Sequence, residues 1–295
     1  MAGSKFFHNK VALITGGSRG LGLQIARELC AGGAKVSLLA RNADELASAK
    51  AHLQQFNTEV LTVECDLMET ASIQSAVRQT LQHFGKIDIL INNAGIIEVG
   101  PLDHLQFKDF DRNMRTHFWA PYILFLLVTP QMRAKGGGRI VNISSIGGRV
   151  GVPHLAAYCA SKFALAGFSD AIRSELASDN IYVTTVTPGL MRTGSHIHAQ
   201  FKGDHQAEYR WFRSSMKIPF ASISIDRAAR KIVSACRRGR PVLVMPFSTY
   251  LAIAANALFP NILAYVMKLV NRALPGRVSQ EGNEARTGLA INAAK

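Results

Sequence analysis

The chain of 295 residues is poor in cysteine, and its four thiols (Cys30, Cys65, Cys159 and Cys236) are scattered with no C-x-x-C pair. That spacing excludes the disulfide ladder of a small secreted fold, so the thiols are expected to be reduced in a cytoplasmic compartment. An apolar leader is missing too: the N-terminal MAGSKFFHNK is followed by the short run 11–14, which leads straight into a glycine loop. No signal peptide is therefore expected, and Ala2 argues against myristoylation. The sequence lacks internal repeats and low-complexity tracts. Acidic residues are few, 20 against 34 Lys and Arg, giving a net charge of +14. No aromatic-rich basic motif accompanies that excess, so nucleic acid is not expected as a partner. The basic residues at Arg227, Arg230, Lys231, Arg237, Arg238 and Arg240 suit a solvated helix face or attraction to a membrane surface.

What is present is a rhythm. Short β-branched runs at 10–15, 35–40, 59–64, 87–92, 139–144, 181–187 and 241–245 alternate with helical patterns at 21–31, 43–56, 71–84, 107–132, 157–177 and 226–237. Strands that are apolar almost throughout, alternating with helices, predict an α/β fold with a doubly wound parallel sheet in one compact domain over residues 1–245. Residues 190–224 break the rhythm with aromatics and histidines, and are expected to form a lid. The stretch 246–275 is expected to be an apolar helical extension, split by Pro260 into helices at 248–259 and 261–274, and 276–295 a flexible tail.

After the first strand comes Thr15-Gly16-Gly17-Ser18-Arg19-Gly20-Leu21-Gly22, opening into an apolar helix. Glycines permit a sharp turn and a close backbone approach to a pyrophosphate, and the helix N-terminus offers free N–H groups. Gly16, Ser18, Arg19, Gly20, Leu21 and Gly22 are thus candidate cofactor residues. The second strand ends in Leu39-Ala40-Arg41 with no acid to receive a ribose 2′-hydroxyl. Arg41 and Arg19 instead supply cations whose planar forks fit a 2′-phosphate, which favours NADP(H).

Further on stand Ser145 at a strand end and then Tyr158-Cys159-Ala160-Ser161-Lys162. On a helix Tyr158 and Lys162 share one face, so the ammonium is expected to lower the phenol's pKa and make it a usable acid or base. Ser145 would hold the substrate oxygen.

These residues together resemble the short-chain dehydrogenase/reductase family across about residues 9–245. The glycine loop is similar to the family's T-G-x-x-x-G-x-G. The resemblance implies that Asp66 and Leu67 lie beside an adenine, that Asn93, Ala94 and Gly95 of the N-N-A-G segment bound the cofactor, and that Pro188, Gly189 and Thr193 hold the nicotinamide carboxamide. It also implies a Rossmann fold, a catalytic Ser145, Tyr158 and Lys162, a nicotinamide ribose bound by Lys162, and a Tyr158 that meets the cofactor while passing the proton. One position departs: aligning Asp111-Arg112 and Pro130 puts His117 where many members carry an asparagine that supports a relay water. Asn113 falls about one turn too early. A histidine there can hold the same water, relay protons itself, or simply pack.

The substrate expected is a lipophilic alcohol or ketone of the steroid, retinoid, sphingoid or keto-acyl kind, with Tyr209, Trp211, Phe212 and Met216 of the lid forming an apolar pocket. A non-catalytic nucleotide sensor is the rival reading. A homodimer or homotetramer is expected. For the C-terminal extension, docking on a membrane surface, burial against protein and a spanning helix all stay open, with peripheral membrane attachment as the corresponding location. His196, His198 and His205 lack the accompanying ligands of a metal site, and no metal is expected.

Overall fold

In the computed structural model, residues 4–192, 194–216, 222–276 and 278–293 are described. Twelve strands occur among them: β1 (Val11–Thr15), β2 (Lys35–Ala40), β3 (Val60–Glu64), β4 (Ile89–Asn92), β5 (Glu98–Val99), β6 (Gly138–Ile143), β7 (Ile181–Pro188), β8 (Leu190–Arg192), β9 (Gln200–Phe201), β10 (Ser222–Ser224), β11 (Val242–Met245) and β12 (Arg286–Thr287). The helices are α1 (Ser4–Phe7), α2 (Gly20–Ala31), α3 (Ala43–Leu53), α4 (Thr70–Phe84), α5 (Phe107–Met114), α6 (Ala120–Ala134), α7 (Ala156–Ala177), α8 (His205–Ser215), α9 (Ile225–Arg238), α10 (Phe247–Leu258), α11 (Pro260–Arg272) and α12 (Gly288–Ala293).

Seven strands make one parallel sheet in the order β11-β7-β6-β4-β1-β2-β3. The order reverses between β1 and β4, which opens a crevice at their C-terminal ends, the place where a doubly wound sheet binds nucleotides. Alternation along β1 explains the two layers. Ala12 and Ile14 point into a core with Ile25 and Leu29 of α2 and Ile232 of α9. Leu13 points the other way, toward Ile73 of α4, Leu124 of α6 and Leu176 of α7. Because both faces are covered, the strands are apolar throughout rather than alternating with polar residues. Local signals set the helix ends: Asn42 caps α3 by accepting the Glu45 N–H at 2.9 Å, and α4 stops at Gly85, whose φ of 73° is left-handed.

Three expectations need correction. The helix expected over 107–132 is interrupted, since residues Arg115–Trp119 form a π-helical turn between α5 and α6. A π turn inserts one residue without changing composition, so periodicity does not reveal it. The segment 276–295, expected to be a flexible tail, has structure over its described part: β12 pairs antiparallel with β9, and Ile291 of α12 is buried. Finally, Tyr209, Phe212 and Met216 of the lid do not open into a pocket. They pack with Phe201, Val99 and Ile291 in a core of their own, because the apolar face of α8 is covered by the returning C-terminal segment. Trp211 is only partly buried against that core.

Candidate active site

The crevice is held open by side chains of the glycine turn and the N-N-A-G segment. The Thr15 hydroxyl accepts hydrogen bonds from the Asn93 and Ala94 N–H groups, each at 3.0 Å. Asn93 Nδ2 returns bonds to the carbonyl oxygens of Thr15 (3.0 Å) and Gly16 (3.2 Å). Gly22 lies against this knot so closely that a Cβ on it would stand 2.1 Å from the Gly16 oxygen. Helix α2 begins at Arg19 with no side-chain cap and no acid in its first turn. Its free N–H groups therefore face the crevice with the positive end of the helix dipole, a cradle suited to a pyrophosphate.

At the adenosine end, Arg41 is exposed at the tip of β2. Ser18 donates to Glu45 Oε2 at 2.8 Å, Arg19 Nε lies 3.6 Å from the same oxygen, and Arg19 also meets His198 from the lid. Neither Glu45 nor His198 stands out in the sequence. Asp66 Oδ1 accepts the Met68 N–H at 2.9 Å, fixing the turn after β3, and Leu67 packs partly into the core beneath it. At the other end, Pro188 closes β7 and Gly189 donates its N–H to the Met245 carbonyl at 2.7 Å. A side chain at Gly189 would collide with the Thr249 hydroxyl at 2.2 Å, so the glycine lets α10 dock beside the crevice. Thr193 lies outside the described residues.

Ser145, Tyr158 and Lys162 meet at the end of β6 and the start of α7. The Ser145 side chain hydrogen-bonds the Tyr158 phenol and also accepts the Gly147 N–H at 3.1 Å. Lys162 Nζ is 5.8 Å from the centre of the Tyr158 ring and donates to the Ile143 carbonyl at 2.8 Å. That backbone anchor has no side-chain signal in the sequence. The expected depression of the phenol's pKa is not found: burial pushes Tyr158 up to about 12, against a smaller lowering by Ser145. Burial also pushes Lys162 down to about 7. Desolvation dominates at both groups, so the phenol is neutral.

His117 sits in the π turn, buried, with its ring 5.4 Å from that of Tyr158. Its Nε2 accepts the Ile96 N–H at 3.1 Å, so the proton is on Nδ1, which donates to Ser161 Oγ at 2.7 Å. Ser161 in turn donates to the Tyr158 carbonyl at 2.8 Å. Burial and then the Lys162 charge hold the imidazole well below its usual pKa, so it is neutral. Gly95 leaves room for this arrangement, since a Cβ there would lie 3.0 Å from His117 Nε2. Asn113 is elsewhere, donating to Glu98 Oε2 at 3.0 Å in a buried polar cluster. The three lid histidines part: His198 meets Arg19, His205 bonds the Glu284 carbonyl, and His196 lies against Tyr209.

Beside the 145–158 loop lies a cavity of about 510 Å³. Val152, Pro153 and Ala156 form one wall, Leu102 another, and Arg272 and Leu274 a third.

A doubly wound sheet with a phosphate cradle at its switch point and a phenol, an amine and a hydroxyl beside it defines a dinucleotide-dependent oxidoreductase. Residues 10–201 match the family model for short chain dehydrogenase. A dehydrogenase/reductase SDR family member 7B of Mus musculus is 32% identical over 268 residues, covering 89% of this chain and 81% of the relative. A fatty acyl-CoA reductase of Acinetobacter baylyi is 31% identical, covering 95% and 90%. The crystal structure of L-sorbose reductase from Gluconobacter frateurii, complexed with NADPH and L-sorbose, superposes with a TM-score of 0.73 at 28% identity, covering 81% and 95%. The chain belongs to the short-chain dehydrogenase/reductase family and is an oxidoreductase acting on CH–OH groups.

Proposed function

We propose that the chain is an NADP(H)-dependent reductase or dehydrogenase of a lipophilic alcohol or ketone. The observation that carries this is the grouping of Tyr158 with Ser145 and Lys162 at the start of α7, beside an uncapped helix terminus at the sheet's switch point. The nicotinamide cofactor supplies or accepts the hydride. In reduction, Ser145 holds the substrate oxygen while Tyr158 gives it a proton, and the Ile143 carbonyl keeps Lys162 in place. Gly16, Ser18, Gly20, Leu21 and Gly22 would hold the pyrophosphate. Asn93, Ala94 and Gly95 would bound the cofactor, Pro188 and Gly189 would hold the carboxamide, and Asp66 and Leu67 would lie beside the adenine.

Preference for the 2′-phosphate is supported by Arg41, by Arg19 and by the missing acid at the end of β2. Glu45 holds Ser18 and Arg19, and a 2′-phosphate would take over these partners from that carboxylate. Assays of ketones and alcohols with both cofactors, followed by nicotinamide absorbance, test the reading: NADP(H) should be preferred. In Arg41→Asp the NADP(H) dissociation constant should rise about 10–100-fold with NAD(H) binding nearly unchanged; equal losses would undo the cofactor assignment.

A lipophilic substrate is supported by Leu102, Val152, Pro153, Ala156 and Leu274, which give the cavity beside the catalytic loop an apolar portion, with Asp103, His154, Asn271 and Arg272 as its polar portion. The half-exposed Trp119 of the π turn, Leu126 of α6 and Phe163 of α7 support a homodimer or homotetramer. A cytoplasmic location, peripheral on a membrane, fits the exposed apolar extension.

We assign His117 a positioning role rather than a relay role. Both ring nitrogens are engaged, and protonating Nε2 would break its bond to Ile96. His117→Asn can keep one acceptor and one donor, and is expected to retain kcat within about threefold with the same acid limb in its pH profile. His117→Phe strands the Ile96 N–H and should lower stability by about 1–3 kcal/mol in chemical unfolding. If His117→Asn alone shifted the acid limb, the imidazole would be titrating in turnover and the positioning role would fall.

A further inference from the structure

Among the described residues, exposed large apolar side chains are concentrated on the α10–α11 hairpin. One side of α10 is fastened to the body: Thr249 is buried under Gly189, and Asn256 Nδ2 donates to the Arg149 carbonyl at 3.2 Å. Helix α11 has no buried residue at all. Between the helices the chain bends by 119°, and the tip carries Leu258 (71% exposed), Phe259 and Ile262 (63% exposed). Phe247, Leu251 and Tyr265 of the same two helices are exposed as well. Among the described residues no single helix is long and apolar enough to cross a membrane. At 12 and 13 residues the two helices reach only roughly 18–20 Å each.

Charge identifies the occupant. Between Asp226 and Glu281 the chain has no acidic residue and nine basic ones. Lys268 and Arg272 lie one helical turn apart toward the base of the hairpin, away from its apolar tip. A second copy seated on this face would set those cations against their own copies, with no carboxylate in the segment to receive them. Apolar tip and cationic base instead match the layering of a lipid leaflet, acyl chains below and anionic headgroups above. We infer that the hairpin docks the enzyme on the surface of an anionic-lipid membrane, embedding Leu258, Phe259 and Ile262 in one leaflet with Lys268 and Arg272 at the headgroups. The same element walls the cavity beside the catalytic loop through Asn271, Arg272 and Leu274, so the docked surface and the cavity are contiguous. Docking stands independently of the catalytic reading, because it is measured without turnover.

The test is sedimentation of the full chain with vesicles of phosphatidylcholine alone or with about 30 mol % phosphatidylglycerol. Binding to the anionic vesicles should be at least about tenfold stronger and should weaken with salt. The Leu258→Ser, Phe259→Ser, Ile262→Ser triple variant should lose at least about tenfold at an unchanged melting temperature. Lys268→Glu should lose a smaller factor and flatten the salt dependence. Ile262→Ser alone, losing severalfold, serves if the triple variant fails to fold. Equal sedimentation of wild type and these tip variants overturns the proposal, as does absence of wild-type binding to the anionic vesicles. So does a vesicle-free oligomer that the tip substitutions dissolve, which would make a second copy the occupant.

Discussion

Phenylalanine in place of Tyr158 is expected to reduce turnover by about 10³-fold or more while NADP(H) affinity stays within about twofold. The substitution removes one oxygen and leaves the ring contact with His117 and the position of Lys162 untouched. What disappears is the only phenol in hydrogen-bond contact with Ser145 among the described residues. With its pKa raised by burial to about 12, that phenol is protonated across the physiological range and ready to donate as the substrate oxygen gains charge. Anion binding beside Lys162 favours the ammonium over its depressed value of about 7, and an ammonium at that distance eases phenolate formation in the reverse direction. Single-turnover oxidation of NADPH with a saturating ketone, alongside a fluorescence titration of the cofactor, separates the two effects. Unchanged turnover in Tyr158→Phe would remove the catalytic assignment; cofactor binding with no turnover in the wild type itself would favour the nucleotide-sensing reading.

Gly22→Ala should weaken cofactor binding strongly from the opposite side of the crevice. The added methyl would lie 2.1 Å from the Gly16 oxygen and 2.6 Å from Asn93 Nδ2, distances that no rotamer change relieves because the first partner is backbone. The turn must move, and with it the knot in which Thr15 and Asn93 hold the two lips of the crevice together. Overpacking of this kind costs about 1–3 kcal/mol of stability. The dissociation constant for NADP(H) should rise by about 100-fold or more, since the N–H groups that face the pyrophosphate are carried on the displaced loop. Titration of the cofactor together with chemical unfolding measures both. Wild-type affinity in a folded Gly22→Ala protein would mean that the cradle lies elsewhere.

Most of the sheet was legible because its physics is local. Strand β2 begins and ends where its β-branched run does, and the other strands of the sheet differ from their runs by a residue or two. The doubly covered sheet follows from their unbroken apolarity. Tyr158 and Lys162 come together because helical spacing dictates it. Long-range features were hidden. The π turn that presents His117 leaves the helical pattern of 107–132 intact, and the carbonyl that anchors Lys162 belongs to Ile143, a residue whose side chain says nothing about it. The pKa of the phenol ran against expectation because spacing registers the neighbouring charge but not the depth of protein around it. The aromatics of α8 looked like a pocket because the segment that covers them arrives some eighty residues later, with Ile291.

That late arrival bears on how the chain assembles. Every strand of the parallel sheet has been made by Met245, so the nucleotide half can close while synthesis continues. Strand β9 gains its antiparallel neighbour only when Arg286 and Thr287 emerge, and the Gly203 N–H finds the Gly282 carbonyl, 2.8 Å away, no sooner. The nascent protein thus passes through a stage with its parallel sheet complete and the small core around Phe201 still open.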